Sequence, residues 1–277
     1  MLKLTGKEIK ETELKILVFF DEFCRKKSVK YSLTGGTLIG AVRHNGFIPW
    51  DDDIDVMLKR DYYELFIKEF PEFSKGSNYE LITFKNNKEY NYLFSKIVDK
   101  RTCLIEAHNK PVKELGVFID VFPIDYIDND YKKSYKKLKN VEFKKYLIVA
   151  SNWKHFYVNN NHGFFRQILR FFFYLISRFI NPKKRLSFIE KSFSKNEKRN
   201  YVACICGSYS IDKELMKAEI FGDYIDLEFE GKRFMSIIGF DSYLKSLYGD
   251  YMKLPPVEKR VARHTFDAYW KDGFNND

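Results

Sequence analysis

Between Glu8 and Arg25 the apolar residues Ile9, Leu14, Leu17, Val18 and Phe20 recur at helical spacing, which predicts a helix packed on one side. Tyr31-Ser32-Leu33 predicts a short strand. Gly35 and Gly36 punctuate it, and a helix restarts from Thr37 to Arg43. Asn45-Gly46 and Pro49 predict a loop, Ile54 to Leu58 a second strand, and Tyr62 to Phe70 a short helix ended by Pro71. Tyr79 to Phe84, Leu93 to Val98 and Val117 to Phe122 read as strands. From Tyr131 to about Ser194 the chain is rich in Lys, Phe and Tyr and helical in pattern. Tyr224 to Glu230 and Arg233 to Ile238 flank Gly231 as a hairpin, and Phe240 to Leu247 forms a last helix before the Pro255-Pro256 turn. The expected fold class is mixed α/β (α+β): a mixed sheet with helices on one side, joined to a mainly helical part. The expected organisation is a core over 1–128, a helical insertion over 129–200, and a hairpin and helices over 201–277 that complete the site.

Composition narrows this. Of 277 residues, 45% are hydrophobic and 18% aromatic, which excludes a disordered chain and supports a substantial core. The net charge of +10 favours acidic partners without choosing among nucleotides, polyanions and anionic membrane surfaces. The charged start, MLKLTGKEIKETELK, does not read as a secretory signal, and no apolar run approaches the ~18 residues needed to span a bilayer. Cys24, Cys103, Cys204 and Cys206 form no CxxC framework and read as buried or idle thiols in a reducing cytoplasm.

Candidate chemistry concentrates in one stretch. Asp51, Asp52, Asp53 and Asp55 are entered by Phe47-Ile48-Pro49-Trp50 and followed by Val56-Met57-Leu58, so the carboxylates run into apolar structure. Strand alternation would place Asp51, Asp53 and Asp55 on one face and Asp52 on the other. Crowded carboxylates raise one another's pKa. A divalent cation removes the conflict, and an all-oxygen donor set favours Mg²⁺ or Mn²⁺. Gly35-Gly36 lets a backbone approach a phosphate at a helix N-terminus, with Thr37 adding a hydroxyl. Asp120, alone within the apolar run Val117 to Phe122, is expected to join Asp53 and Asp55 in catalysis and metal binding. Asp125 is expected to cap a turn or a following helix.

The order strand, Gly-Gly, helix, Asp-x-Asp strand resembles the nucleotidyltransferase superfamily. More closely, GGTLIGAVRHNGFIPWDDDIDV resembles the hallmark of the LicD family of phosphocholine transferases. Phe94 to Thr102, Ile119 to Asp125 and Tyr248 to Pro256 also match that family's pattern. The resemblance implies a CDP-choline or similar CDP-linked donor, a lipid-linked glycan acceptor with a sugar hydroxyl, and no nucleic-acid partner. It also implies a cytoplasmic site of action, peripheral on the inner face of the membrane. On these residues Asp53, Asp55 and Asp120 would hold the cation or act in catalysis, and Gly35, Gly36 and Thr37 would cradle phosphate. Arg43 and Lys96 would stabilise departing charge, unless Arg43 only anchors its loop and Lys96 is an exposed strand lysine. Trp50 and Tyr92 are candidates for a choline-binding cage. His44 and His264, each beside an arginine, are expected to order loops. The rival readings are an NTP-using nucleotidyltransferase releasing pyrophosphate and a non-catalytic polyanion-binding protein.

One further segment stands apart. At ~100° per residue, Arg166, Gln167, Arg170, Tyr174, Ser177 and Arg178 fall within an arc of roughly 120°, with Phe, Leu and Ile filling the rest. Residues 164–180 are therefore expected either to contact a membrane in plane or to lie buried in the core.

Overall fold

In the computed structural model, which describes residues 1–158, 163–194, 197–261 and 266–274, the chain opens with β1 (Leu2–Lys3) and α1 (Gly6–Lys26). Thr5 caps α1 and Glu8 returns the bond to the cap's amide, a reciprocal box that fixes where this helix starts. β2 (Ser32–Leu33) leads into α2 (Gly35–His44), then β3 (Asp55–Lys59) and α3 (Arg60–Phe73). α2 begins at the glycine pair itself rather than at Thr37. Pro71 does not end α3 but sits inside its last turn. Phe70 and Phe73 pack against Phe19 and Phe23 of α1, and this packing holds the turn despite the missing amide.

β4 (Tyr79–Ile82), β5 (Ser95–Asp99), β6 (Thr102–Glu106) and β7 (Phe118–Tyr126) follow. The helical part comprises α4 (Tyr131–Asn152), α5 (Phe164–Ser177) and α6 (Pro182–Phe193). Beyond it come β8 (Tyr201–Ala203), α7 (Ile211–Glu214), β9 (Met216–Lys217), the hairpin β10 (Tyr224–Phe229) and β11 (Lys232–Ile237), α8 (Phe240–Tyr248) and β12 (Phe266–Trp270).

The main sheet runs β2-β3-β7-β5-β4, with β8 and β9 extending from the end of β7. Its centre is the parallel pair β3 and β7, registered so that Asp55 faces Asp120. α1 and α3 cover this sheet and bury Ile16, Leu17, Phe20, Phe23, Phe66 and Phe70. The hairpin leans on β2 through side chains: Ser32 Oγ accepts the Ile237 amide at 3.0 Å, and Tyr31 Oη accepts that of Met235 at 3.2 Å. A smaller sheet, β1-β12-β6, joins both ends of the described chain to its middle.

α5 is turned against the usual sense of an amphipathic helix. Apart from the exposed Arg166 at its start, its polar arc faces the protein. Arg178 donates to the carbonyls of Ala150 and Trp153, the Arg170 guanidinium lies over the Trp153 and Tyr157 rings, and Ser177 is buried. Phe164, Phe165, Ile168, Leu169, Phe171, Phe172, Leu175 and Ile176 are all exposed, as is Phe179 just beyond. Burial of this apolar face in the core is therefore excluded. The end of α4 presents carbonyls that need donors, and Arg178, just past the end of α5, supplies two bonds there. Among the described residues, no helix is long and apolar enough to cross a membrane.

Candidate active site

A cleft of about 790 Å³ opens where the C-terminal end of β2, the N-terminus of α2 and the N-terminal end of β3 meet the start of β7. One wall carries Asp51, Asp53, Asp55 and Asp120. A second wall comes from the later chain: Cys204, Cys206, Tyr209 and Glu214, then Tyr243, Tyr248 and Tyr251.

Sequence dictates the first wall closely. Gly35 has φ +57°, and a Cβ there would lie 2.9 Å from Asp55 Oδ2; a Cβ on Gly36 would lie 2.0 Å from Asp51 Oδ2. The pair is glycine because two carboxylates occupy the space a side chain would need. The positive end of α2 thus lies against the acid cluster and favours its anionic form. Thr37 is turned away from the cleft: it is buried, and its Oγ1 accepts the Asp55 amide at 2.9 Å. That bond positions Asp55. Thr34 stands at the cleft instead, its hydroxyl 2.6 Å from that of Tyr243.

The carboxylates are crowded. One oxygen from each of Asp51, Asp52 and Asp53 comes within 4.8 Å of the others. β3 begins only at Asp55, so strand alternation does not order residues 51–53, yet Asp51, Asp53 and Asp55 line the cleft and Asp52 does not. Burial pushes the Asp55 carboxyl well above the usual range, and Asp53, Asp120 and Asp51 push it further, against the pull of Lys96. Glu13 of α1, buried beneath the cluster, is raised by the same two causes, burial first and then Asp53 and Asp52. Its Oε2 has no hydrogen-bond partner. A wall of oxygen donors that repel one another fits a hard divalent cation.

Lys96 is not an exposed strand lysine. It is buried on β5 opposite Asp120, its Nζ 2.6 Å from Asp120 Oδ1 and 3.2 Å from the centre of the Phe118 ring. Arg43 anchors the later chain by donating to the carbonyls of Tyr251 and Lys253, and it also lines the cleft. Trp50 lines the cleft, with the Arg260 guanidinium over its ring. Tyr92 packs between Tyr90 and Phe94 and is not among the lining residues. Asp125 caps nothing: it is fully buried on β7 and accepts two bonds from Arg60, at 2.6 and 2.8 Å. His44 accepts a bond from Arg43 Nε, whereas His264 and Arg263 lie outside the described residues.

This geometry agrees with what the chain is similar to. Residues 28–156 match the nucleotidyltransferase domain of LicD/FKTN/FKRP. The lipopolysaccharide cholinephosphotransferase LicD of Haemophilus influenzae is 34% identical over 272 residues, covering 97% of this chain and 99% of that protein. The chain belongs to the LicD/FKTN/FKRP family. An uncharacterized protein of Rickettsia typhi is 31% identical over 122 residues, 44% of this chain and 36% of that one. Another, of Rickettsia prowazekii, is 33% identical over 86 residues, 30% of this chain and 27% of that one.

Within this LicD-type site, residues that sequence reasoning passed over come from far along the chain. Glu214, buried on the second wall, has its carboxyl pushed up to about 7 by burial. Cys204 and Cys206 bring their Sγ atoms within 3.5 Å at the cleft, and only Cys24 of the four thiols is buried. A conspicuous signal for Glu214 was absent, because its partners Gly207 and Tyr209 show no motif around it.

Proposed function

We propose that this protein transfers phosphocholine, or a similar phospho-alcohol, from a CDP-linked donor to a sugar hydroxyl of a lipid-linked glycan precursor, in a reaction that needs Mg²⁺ or Mn²⁺. The observation that carries the reading is the acid wall set against the glycine-rich start of α2, in a chain aligned almost end to end with a cholinephosphotransferase.

Asp51, Asp53 and Asp55 would hold the cation, with Asp120 beside them. When bound, the ion neutralises charge on the donor's diphosphate as CMP departs. The chain's own groups do the rest. The amides of Gly35 and Gly36 point the start of α2 at the phosphates. The hydroxyl oxygen of the acceptor forms a bond to the phosphorus of the phosphocholine unit. The phosphorus–oxygen bond to CMP breaks, and CMP takes the electron pair. The hydroxyl proton passes to a carboxylate. Glu214, near neutral pKa on the second wall, suits that duty, as does Asp120. Lys96 holds Asp120 in place, and Arg43 adds positive charge at the rim. The aromatic faces of Trp50, Phe94, Phe122 and Tyr209 suit a quaternary ammonium.

The test is incubation with CDP-choline, CDP-ethanolamine and NTPs, each with Mg²⁺ and a glycan acceptor. CMP appearing in step with phosphocholine on the sugar is the expected result. Pyrophosphate from an NTP, with the CDP donors untouched, would transfer the protein to the rival reading.

A further inference from the structure

We propose that α5, together with the adjoining face of α4, is a docking surface for an anionic lipid bilayer. Two independent observations carry this. The first is the inverted helix. A helix on a water-exposed surface hides its apolar side, but α5 spends its polar arc on α4 and leaves the apolar side outward. Phe165, Phe172 and Phe179 are 85, 55 and 90% exposed. The patch continues through Phe173 onto exposed Phe143 and Tyr146 of α4, whose rings lie 5.3 and 5.6 Å from it. A contiguous apolar patch of this extent marks an interaction site.

The second observation is charge. Between Glu142 and Glu190 the chain contains no Asp or Glu and nine Lys or Arg residues. Arg170, Arg178 and Lys183 of this run bond or stack inward, while Lys154, Arg166 and Lys184 are exposed, and Arg166 stands on α5 itself. Exposed charge of one sign beside an apolar face complements an anionic bilayer, where each basic residue near the surface adds about 1 kcal/mol. It opposes a second copy as the occupant, since a two-fold contact would bring two uncompensated basic regions together. A helix of 14 residues, about 21 Å long, cannot cross a bilayer but lies in its plane with Phe and Leu in the acyl boundary. This reading does not depend on the chemistry proposed for the cleft, because neither donor nor acceptor enters the test.

The test is flotation of the full chain with vesicles of phosphatidylcholine and phosphatidylglycerol, beside vesicles of phosphatidylcholine alone. The wild type is expected to float with the mixed vesicles, to float far less with the neutral ones, and to detach at high salt. Phe165→Asp, Phe172→Asp and Phe179→Asp combined should weaken partitioning by roughly a hundredfold or more, with an unchanged melting curve. Phe165→Ser and Phe179→Ser, made singly on the most exposed side chains, keep the test open should the triple variant fold poorly, and each should weaken it by several-fold. Arg166→Glu should lower it by about fivefold or more. The proposal is overturned if the wild type stays with the soluble fraction, or if neutral vesicles bind it equally. It is also overturned if light scattering shows a dimer that the serine variants abolish, for then a second copy covers this face.

Discussion

Asp55 and Asp125 sit towards opposite ends of the paired strands β3 and β7 and meet loss of water in opposite ways. Asp125 is matched: a guanidinium clasps both of its oxygens, and the pair is sealed in the core. Asp55 is buried among other carboxylates, and burial first and their charge second hold its proton more tightly. An ion pair that completes itself serves the fold. A carboxylate left among like charges costs stability, which the fold tolerates where a cation or a phosphate-bearing substrate is to be met.

The sharpest break between the two is in activity. Asp53→Asn and Asp55→Asn are each expected to lower transfer by roughly a thousandfold or more, whereas Asp125→Asn should leave kcat close to wild type in the fraction that folds. Steady-state CMP release separates them. Stability should invert the order. Asp125→Asn strands the buried Arg60 charge and is expected to cost about 3–5 kcal/mol, seen as a fall in Tm of roughly 10 °C. Asp55→Asn should melt no lower than wild type at neutral pH. The sign follows from its raised pKa: the native state binds the Asp55 proton more tightly than the unfolded chain, so ionising it as pH rises removes stability, and asparagine escapes that loss.

Glu214 extends the comparison to the second wall. Its carboxyl, raised from the ordinary 4.5 to about 7, should make kcat/KM rise with pH through about 7, as an ionised base appears. Glu214→Gln should flatten that rise. The same variant should be more stable than wild type above about pH 7, since the wild type loses stability between pH 4.5 and 7 as the buried group ionises, while glutamine does not. A rise that persists unchanged in the variant would assign the titration elsewhere. The smallest expected effect concerns the choline. Tyr209→Leu should raise KM for CDP-choline about three- to tenfold, affect CDP-ethanolamine less, and leave kcat within about twofold.

How far the sequence revealed all this depends on distance along the chain. The acid wall is built from Gly35 to Asp55, a stretch short enough for spacing alone to suggest the arrangement, and Asp120 was marked by its isolation among apolar residues. The partner of Asp120 was harder: the sequence left open whether Lys96 serves the site or lies exposed on its strand, because nothing local shows that β5 lies inside the sheet, opposite β7. Asp125 misled for the same reason, since Arg60 is remote in sequence. β6 and β12 escaped notice because short strands pair across the whole chain length, where no local pattern marks them. Pro71 was read by its local rule, and the aromatic packing of α1 on α3 overrode it. For α5 the periodicity was plain, but which face turns outward depends on the unsatisfied carbonyls of α4, a tertiary fact.

One measurement goes to the central claim: a Mg²⁺ titration of CMP release from CDP-choline in the presence of a glycan acceptor, run on the wild type and Asp55→Asn side by side, with melting curves on the same samples. The wild type should release CMP only with the ion, stop in EDTA, recover on adding Mg²⁺ back, and gain in Tm as the ion binds. Asp55→Asn should release CMP roughly a thousandfold or more slowly at any Mg²⁺ concentration, gain nothing in Tm, and remain folded. CMP release by Asp55→Asn at the wild-type rate, or by the wild type in EDTA, would show that the acid wall is not where this protein does its chemistry.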